Sequence, residues 1–234
     1  MRQPTRAERL AAFALFGGKE LTAGRPLVAR LIGRRFDEIL DGERYEKPFD
    51  PTFAKSMVKT LTHLCTALGC SFGLCERTEM SLFAVGAGGD ARRLLSRIGG
   101  EAAAKMSLLL SQVATFDTHL YEFPDIGVAR EYFQWRLEES EHGAMDRYCV
   151  HVLAASGTDP GVVPRIIDGL DADEKVELLR QNSFDYTTVP SWQRRGATVR
   201  LRPEGEAEGS ARLLVDLNVP ADGELGAYLQ TALP

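Results

Sequence analysis

The segment Arg30–Phe36, RLIGRRF, places a glycine and two arginines directly after an apolar, β-branched run. That run, Pro26–Ile32, predicts a buried strand that ends at Gly33. A glycine at a strand-to-helix junction can leave backbone N–H groups facing a ligand, and Arg34 and Arg35 beside it could bind a phosphate chain. On spacing alone, a glycine turn with two solvated arginines remains the alternative.

The four cysteines predict neither a metal centre nor a disulfide framework. Cys65, Cys70 and Cys75 are spaced five apart, Cys149 stands alone, and no CxxC pair occurs. Zinc sites and disulfide-rich domains use other spacings. We expect all four to be buried free thiols.

Two helices and four strands are predicted around the arginine-rich junction. Apolar residues recur at helical spacing over 52–68, and a second helix covers about 89–112. Between them, two strands are joined by a turn near Glu76–Thr78, and TFDTHLYEF forms a fourth strand. The order strand, helix, strand, strand, helix, strand predicts an α+β, ferredoxin-like (split βαβ) fold, with one layer of helices on an antiparallel sheet.

More helices and a hairpin follow this unit. Residues 126–155 predict a long helix capped by Asp125, and Asp171 with Glu174 has capping-box spacing at the start of a shorter one. PSWQRRG is predicted as a loop, and ATVRLR with ARLLVDLNV as a hairpin with a polar tip. The final stretch, ADGELGAYLQTALP, is either a small helix or a frayed tail.

Composition excludes several classes of protein. The chain has 234 residues, 44% of them hydrophobic, with 28 Lys and Arg against 33 Asp and Glu, a net charge of −5. A coat protein that binds nucleic acid through bulk positive charge is excluded, so any such contact needs a local basic patch. No apolar stretch approaches the roughly 20 residues of a membrane span. The start has no secretory signal pattern, and we expect a cytoplasmic protein without membrane contact.

Arg30–Phe36 also resembles the first signature, R-I-D-G-R-x-F, of the tRNA-His guanylyltransferases and their 3′–5′ polymerase relatives. Other family motifs have counterparts in the same order. They are Lys47–Asp50 for K-P-N-D, Arg77–Leu82 for S-D-E-Y-S-F, Arg93–Arg97 for R-x-x-S-K, Phe116–Leu120 for F-D-G-R-V, Tyr132–Arg136 for Y-x-x-W-R, Lys175–Leu179 for K-N-E-L-L and Pro190–Gly196 for P-x-x-R-x-G. Together they indicate a diverged member of this family.

The resemblance implies a polymerase-type palm with additional helices and a C-terminal β-hairpin. A guanylyltransferase-like domain would cover residues 1–203, with the palm at about 26–124 and a helical part at about 125–203. Residues 204–234 would form the second hairpin strand and a tail.

The departures from the family pattern concern its metal site. In the family, the aspartates of the first two signatures hold two magnesium ions, and the corresponding positions here are Ile32 and Thr78. Isoleucine offers no ligand, and a threonine hydroxyl lacks the negative charge that Mg²⁺ prefers. Glu79 is the remaining candidate catalytic residue, and we expect no metal site of the family type.

The resemblance further implies nucleotide or phosphate binding by residues spread over these motifs. They are Gly33, Arg34, Arg35, Phe36, Lys47, Asp50, Ser81, Arg93, Ser96, Arg97, Arg136 and Lys175. The family's later H-I-N-N-L-Y segment falls at about Glu141–Asp146, where both asparagines are missing. The prediction is therefore an anion site that is kept while the family's metal site is lost.

Three hypotheses on function follow. The chain is a non-catalytic homologue that binds a nucleotide or an RNA end such as that of a tRNA, or that serves as partner to an active subunit. Alternatively, it is an active nucleotidyltransferase with an altered metal site, using Mg²⁺ and GTP or ATP on a tRNA or a small acceptor. The third hypothesis is a purely structural subunit. We expect the first, without metal-dependent 3′–5′ transfer by the chain alone.

The family resemblance also implies an oligomer, either a homo-oligomer (dimer or tetramer) or a hetero-oligomer with a homologue that retains both aspartates. Tyr132, Phe133 and Trp135 lie close together on the long predicted helix. We expect part of this aromatic surface to be exposed on a monomer, because one sheet can cover only one side of a helix. Exposed aromatic patches of this kind usually mark interfaces.

Overall fold

The computed structural model describes residues 19–86, 88–202 and 213–233. Its strands are β1 (Glu20–Leu21), β2 (Pro26–Gly33), β3 (Phe72–Glu76), β4 (Glu79–Val85), β5 (Gly89–Asp90), β6 (Phe116–Glu122), β7 (Ala197–Leu201) and β8 (Leu213–Asp216). Its α-helices are α1 (Phe36–Asp41), α2 (Pro51–Leu68), α3 (Ala91–Leu110), α4 (Ile126–Ala155), α5 (Val163–Ile167), α6 (Ala172–Gln181), α7 (Ser191–Arg194) and α8 (Asp222–Ala232). A 3₁₀ turn covers Tyr186–Thr188.

The main sheet has six antiparallel strands in the order β6-β2-β4-β3-β7-β8. Its first four strands, with α2 and α3 as crossovers, form the ferredoxin-like unit that the sequence predicts. The β7–β8 hairpin extends that sheet beyond β3, and the polar tip expected between these strands, 203–212, lies outside the described residues. β1 and β5 form a separate two-stranded pair, and each strand is too short to show the alternation of apolar and polar residues that predicts a strand.

The helix boundaries follow from local capping. The Asp50 side chain accepts a hydrogen bond from the N–H of Phe53 at the start of α2, and Gly69 ends that helix in the left-handed conformation, with φ of 69°. Asp125 caps α4 as predicted, and Asp171 with Glu174 forms the predicted capping box of α6.

Helices cover both faces of the sheet. The helices of the ferredoxin-like unit itself, α2 and α3, form the single layer that the sequence predicts, and the later helices α4 and α8 cover the second face. On one side, here called the α2–α3 face, Leu31, Met80 and Leu82 pack against α2 and α3. On the other side, here called the α4 face, Val28 and Phe83 pack with residues of α4 and α8. The reason is that the strands carry apolar residues on both faces, so each face needs a cover.

Two further expectations change. PSWQRRG is not all loop, because Ser191–Arg194 forms the short helix α7 directly after Pro190. The expected exposed aromatic patch is also wrong, since Tyr132 and Phe133 are buried within the chain and Trp135 alone is exposed, at 44%. Of the two alternatives for the C-terminal stretch, the helix is correct.

The remaining helices form a separate small core. Tyr148 and Cys149 in the C-terminal half of α4 pack with Leu179 of α6 and with Tyr186 of the 3₁₀ turn. All four cysteines are buried and free, as predicted. None of the helices in the described part of the chain combines the length and the apolar character that a membrane span requires.

Candidate functional site

The candidate site lies on the α4 face, where β2 ends and β4 begins. Ile32 is paired with Glu79 across the two strands, and the N–H of Gly33 donates to the Thr78 carbonyl at 2.9 Å. The backbone therefore brings the two positions discussed above, Ile32 and Thr78, together at one corner of the sheet. Gly33 is required there by packing, because a Cβ would lie 2.2 Å from the ring of Phe36.

Two arginines and two glutamates form a hydrogen-bonded network next to this corner. Arg30 donates through Nε to Glu79 at 2.8 Å. Arg136 of α4 donates to both oxygens of Glu76, at 3.1 and 2.8 Å, and also to Glu79 at 3.1 Å. Arg136 and Glu76 are both buried. Every carboxylate in the network thus has a guanidinium partner, as buried charges require.

The electrostatics of the network are set by burial. Burial raises the pKa of Glu76 to about 7, even though the Arg136 guanidinium favours the ionised carboxylate. Trp135 lies beside the network, with the guanidinium carbons of Arg136 and Arg30 at 5.1 and 5.8 Å from its ring centroid. These distances allow cation–π contacts that help to orient both arginines.

Magnesium does not fit these residues. Ile32 has no donor atom, and Glu76 and Glu79 already accept hydrogen bonds from guanidinium groups. A cation would have to displace Arg136 from a buried position, which would leave that arginine without a partner. Across residues 19–86, 88–202 and 213–233, no group of three or more His, Cys, Asp or Glu side chains could hold a metal ion.

The arginines after β2 are on the surface. Arg35 adopts the left-handed conformation, with φ of 58°, and forms an ion pair with Glu38 at 2.6 Å. Arg34 lies 3.7 Å from Asp117 on β6, and both side chains are more than half exposed. Phe36 is buried in the core beneath them, at 1% exposure.

Lys47 and Asp50 lie in the loop before α2. The Lys47 ammonium donates to the Leu40 carbonyl, and Asp50 accepts from the N–H groups of Phe53 and Glu46, at 2.6 and 3.0 Å. Asp50 also lines a largely apolar cleft of about 370 Å³. Other residues of that lining are Leu40, Phe49, Glu76, Arg77, Trp192 and Val215. Because Glu76 and Arg77 contribute to its lining, this cleft adjoins the candidate site.

The other residues expected to bind phosphate are dispersed. Arg93, Ser96 and Arg97 are exposed on α3, and Arg97 donates to the Ala67 carbonyl at the far end of α2 from Asp50. Ser81 is buried on the α4 face and hydrogen-bonded to the Tyr132 hydroxyl at 2.9 Å. Lys175 on α6 forms an ion pair with Asp146 at 2.6 Å.

The structure thus gathers Gly33, Arg34, Lys47, Glu79 and Arg136 at one end of the sheet and places the α3 residues at the other. Two further arginines were not assigned by the sequence analysis: Arg77, which lines the cleft, and Arg147 of α4, whose pKa is lowered by burial and by the Arg77 charge. The signal that could have indicated Arg147 is Gly143, one helical turn earlier, where a Cβ would lie 2.9 Å from the Arg147 guanidinium.

The fold is a palm built on a ferredoxin-like sheet, and the candidate site lies at one corner of that sheet. Comparison with solved structures finds this fold in proteins of the family that the motifs resemble. A bacterial tRNA(His) guanylyltransferase (Thg1)-like protein in complex with ATP superimposes with a TM-score of 0.79 and 17% identity, over 98% of this chain and 99% of that one. A bacterial Thg1-like protein in complex with GTP gives 0.73 and 17%, over 97% and 98%.

The tRNA(His) guanylyltransferase of Saccharomyces cerevisiae is similar as well, with a TM-score of 0.73 and 17% identity over 81% of this chain and 90% of that one. No protein-family model matches the sequence, and no curated protein does. At this level of identity the likeness establishes the fold, and the activity has to be argued from the site.

Proposed function

We propose that this chain is a diverged tRNA-His guanylyltransferase-like protein that binds a nucleotide or an RNA end, or serves as a partner subunit, without metal-dependent 3′–5′ nucleotidyl transfer on its own. The observation that carries the proposal is the closed network of Arg30, Glu79, Arg136 and Glu76 at the corner that also contains Ile32. Metal-assisted transfer needs carboxylates that are free to bind Mg²⁺, and here they bind arginines.

Binding of an anionic ligand is supported by what surrounds the network. The cleft beside Asp50 is large enough for a flat ring system, and Arg77 lies in its wall. Arg34 and Arg35 are exposed nearby, after the end of β2. The similar bacterial proteins were solved with GTP and with ATP, which makes these two nucleotides the first ligands to test.

The test separates binding from turnover. Calorimetry with GTP, ATP and a tRNA is expected to detect binding of at least one of them at about 1 mM or below, equivalent to about 4 kcal/mol. The dissociation constant should be similar in EDTA and in Mg²⁺. The bacterial Thg1-like protein solved with GTP is the positive control for binding.

A radiolabelled transfer assay on tRNA then decides the catalytic part. The expected result is no magnesium-dependent nucleotide addition by this chain, with the yeast guanylyltransferase as the positive control. Addition at a comparable rate would establish the alternative, an active nucleotidyltransferase with an altered metal site. An absence of binding to all three ligands would leave only a structural role, either in a homo-oligomer or beside an intact homologue.

A further inference from the structure

Three of the four cysteines lie close together where α2 ends and β3 begins. Cys65 is in the last turn of α2, Cys70 lies two residues before β3, and Cys75 lies within that strand. All three are buried, and they belong to the same apolar core. Cys149 lies in the separate small core formed with α6, so it is a buried thiol with which the other three can be compared.

The end of α2 brings Cys65 and Cys70 together. Gly69 adopts the left-handed conformation, and the N–H groups of Gly69 and of Cys70 both donate to the Cys65 carbonyl, the second at 3.0 Å. The bond from Cys70 is the outer hydrogen bond of a Schellman motif, in which the first and last residues pack against each other. Standard backbone dimensions then keep the two Cα atoms within about 7 Å, a separation that a disulfide can span.

The two thiols are also hydrogen-bonded to each other, and this contact makes them unequal. The bond with Cys65 lowers the pKa of Cys70, whereas the pKa of Cys65 is raised by the same bond and by burial. The thiolate is the nucleophilic form of cysteine, and a second thiol in contact with it can close a disulfide. Cys70 is therefore the thiol that reacts first, and Cys65 is the one that resolves the product.

A cleft beside the pair gives a small reagent access to Cys70. This cleft has a volume of about 180 Å³, and Cys70 and Leu82 contribute to its lining. It shares no lining residue with the cleft beside Asp50, so access to the thiols is separate from the candidate site. The Cys65 sulfur faces Gly73 of β3, where a Cβ would lie 3.0 Å from Sγ. A larger residue at Gly73 would crowd the resolving thiol.

We propose that Cys65 and Cys70 are a redox-active pair, a modification site at which a peroxide oxidises the two thiols to a reversible disulfide between the end of α2 and the start of β3. The Cys70 thiolate attacks one peroxide oxygen, so that a sulfenic acid forms on Cys70 and the other oxygen leaves with a proton as an alcohol or water. The Cys65 thiol then attacks the Cys70 sulfur, the hydroxyl leaves as water, and the S–S bond forms. Two thiols are oxidised and one peroxide is reduced. The inference goes beyond the proposed function and does not depend on nucleotide binding.

The experiment treats the purified full-length chain with hydrogen peroxide, alkylates the remaining thiols in denaturant, and maps the peptides by mass spectrometry. The number of free thiols should fall from four to two, with Cys65 and Cys70 joined in one disulfide. Cys149 should remain free, and dithiothreitol should restore all four thiols.

Two variants test the separate roles of the thiols. Cys65→Ser removes the resolving thiol, so the sulfenic acid on Cys70 should persist and its capture by dimedone should rise about tenfold over the wild type. Cys70→Ser removes the attacking thiol, so neither a disulfide nor a dimedone adduct should form. Cys75→Ser is the matched control from the same core and should leave the yield of the disulfide unchanged. Circular dichroism checks the fold of each variant, and alanine replaces serine in any variant that does not fold.

The wild-type peptide map alone can overturn the inference. Four free thiols after a treatment that fully oxidises free cysteine would show that the pair is inert. A disulfide that includes Cys75, or one that forms only in denaturant, would overturn it as well. The proposed function is tested separately, since GTP binding by a protein that forms no disulfide would leave that proposal standing.

Discussion

The two faces of the six-stranded sheet are built by the same strands but stabilised in different ways. On the α2–α3 face, Leu31 and Met80 are fully buried among apolar side chains, and each could be replaced by another residue of similar volume. On the α4 face, Arg30 and Glu79 from the same two strands are held by charge. The comparison shows that the α4 face has, beside its apolar core, a charged corner that depends on specific partners, whereas the α2–α3 face depends on volume and apolarity.

The largest loss of stability is expected from a substitution in the arginine–glutamate network on the α4 face. Arg136→Met removes the guanidinium that bridges Glu76 and Glu79, and it should lower the free energy of unfolding by about 3–5 kcal/mol, because a buried carboxylate is left unpaired. Urea denaturation at pH 8 measures this. The control Arg97→Met removes an exposed ion pair and should change stability by at most about 1 kcal/mol. Equal losses in the two variants would contradict our view of the α4 face.

A substitution in the apolar core of the α2–α3 face should lower the free energy of unfolding somewhat less. Leu31→Ala removes a fully buried side chain and leaves a cavity, with an expected loss of about 3 kcal/mol in the same denaturation experiment. Leu108→Ala, at a position that is 80% exposed, should stay within about 0.5 kcal/mol of the wild type. Unlike that of Arg136→Met, the loss in Leu31→Ala should not depend on pH, since no titrating group changes its partner.

The smallest expected effect concerns how the stability of the α4 face depends on pH. The pKa of Glu76 in the folded state is about 7, above its usual value of 4.5, so between these values the folded state binds a proton that the unfolded state has released. Stability contributed by the neutral carboxyl is therefore lost as pH rises from about 4.5 to about 7. Glu76→Gln removes this titration, and its stability should vary with pH by about 2 kcal/mol less than that of the wild type.

Urea midpoints at pH 5 and pH 8 check that difference. A Glu76→Gln protein whose stability falls as steeply as the wild type's over this range would show that another group carries the pH dependence. Arg136→Met should respond more strongly to pH than the wild type, because the unpaired Glu76 has a greater preference for its neutral form.

The same contrast explains what the sequence could predict. The α2–α3 face was readable, since Phe53, Met57, Leu61 and Leu64 recur at helical spacing and the strands of the ferredoxin-like unit alternate with helices. For the second face, the sequence analysis expected the sheet to cover one side of the long helix, but it did not predict on which strand residues that helix packs. Phe72 and Phe83 are buried by α4, and no local pattern indicates which distant helix covers a strand.

The candidate site was predictable only as far as motifs placed residues on the chain. The motifs placed Ile32 and Thr78 in two separate signatures, and the register of the sheet brings these two positions together. The motifs could not predict which charged side chains pair with each other. Glu76 pairs with Arg136, sixty residues later, and Arg77 pairs with Asp37, forty residues earlier, so both associations exist only after folding. The ligand roles of the dispersed α3 residues, the oligomeric state and the cytoplasmic location stay predictions.

Helix α4 has a consequence for how far this chain can be divided into modules. Its 30 residues span about 45 Å, and its N-terminal half belongs to the core under the sheet, whereas its C-terminal half belongs to the core formed with α6. A fragment that stopped before Ile126 would leave Phe72 and Phe83 in water. The palm and the helical part therefore cannot be exchanged between relatives by recombination at their boundary, and any chimera has to inherit this helix together with the strands on which it packs.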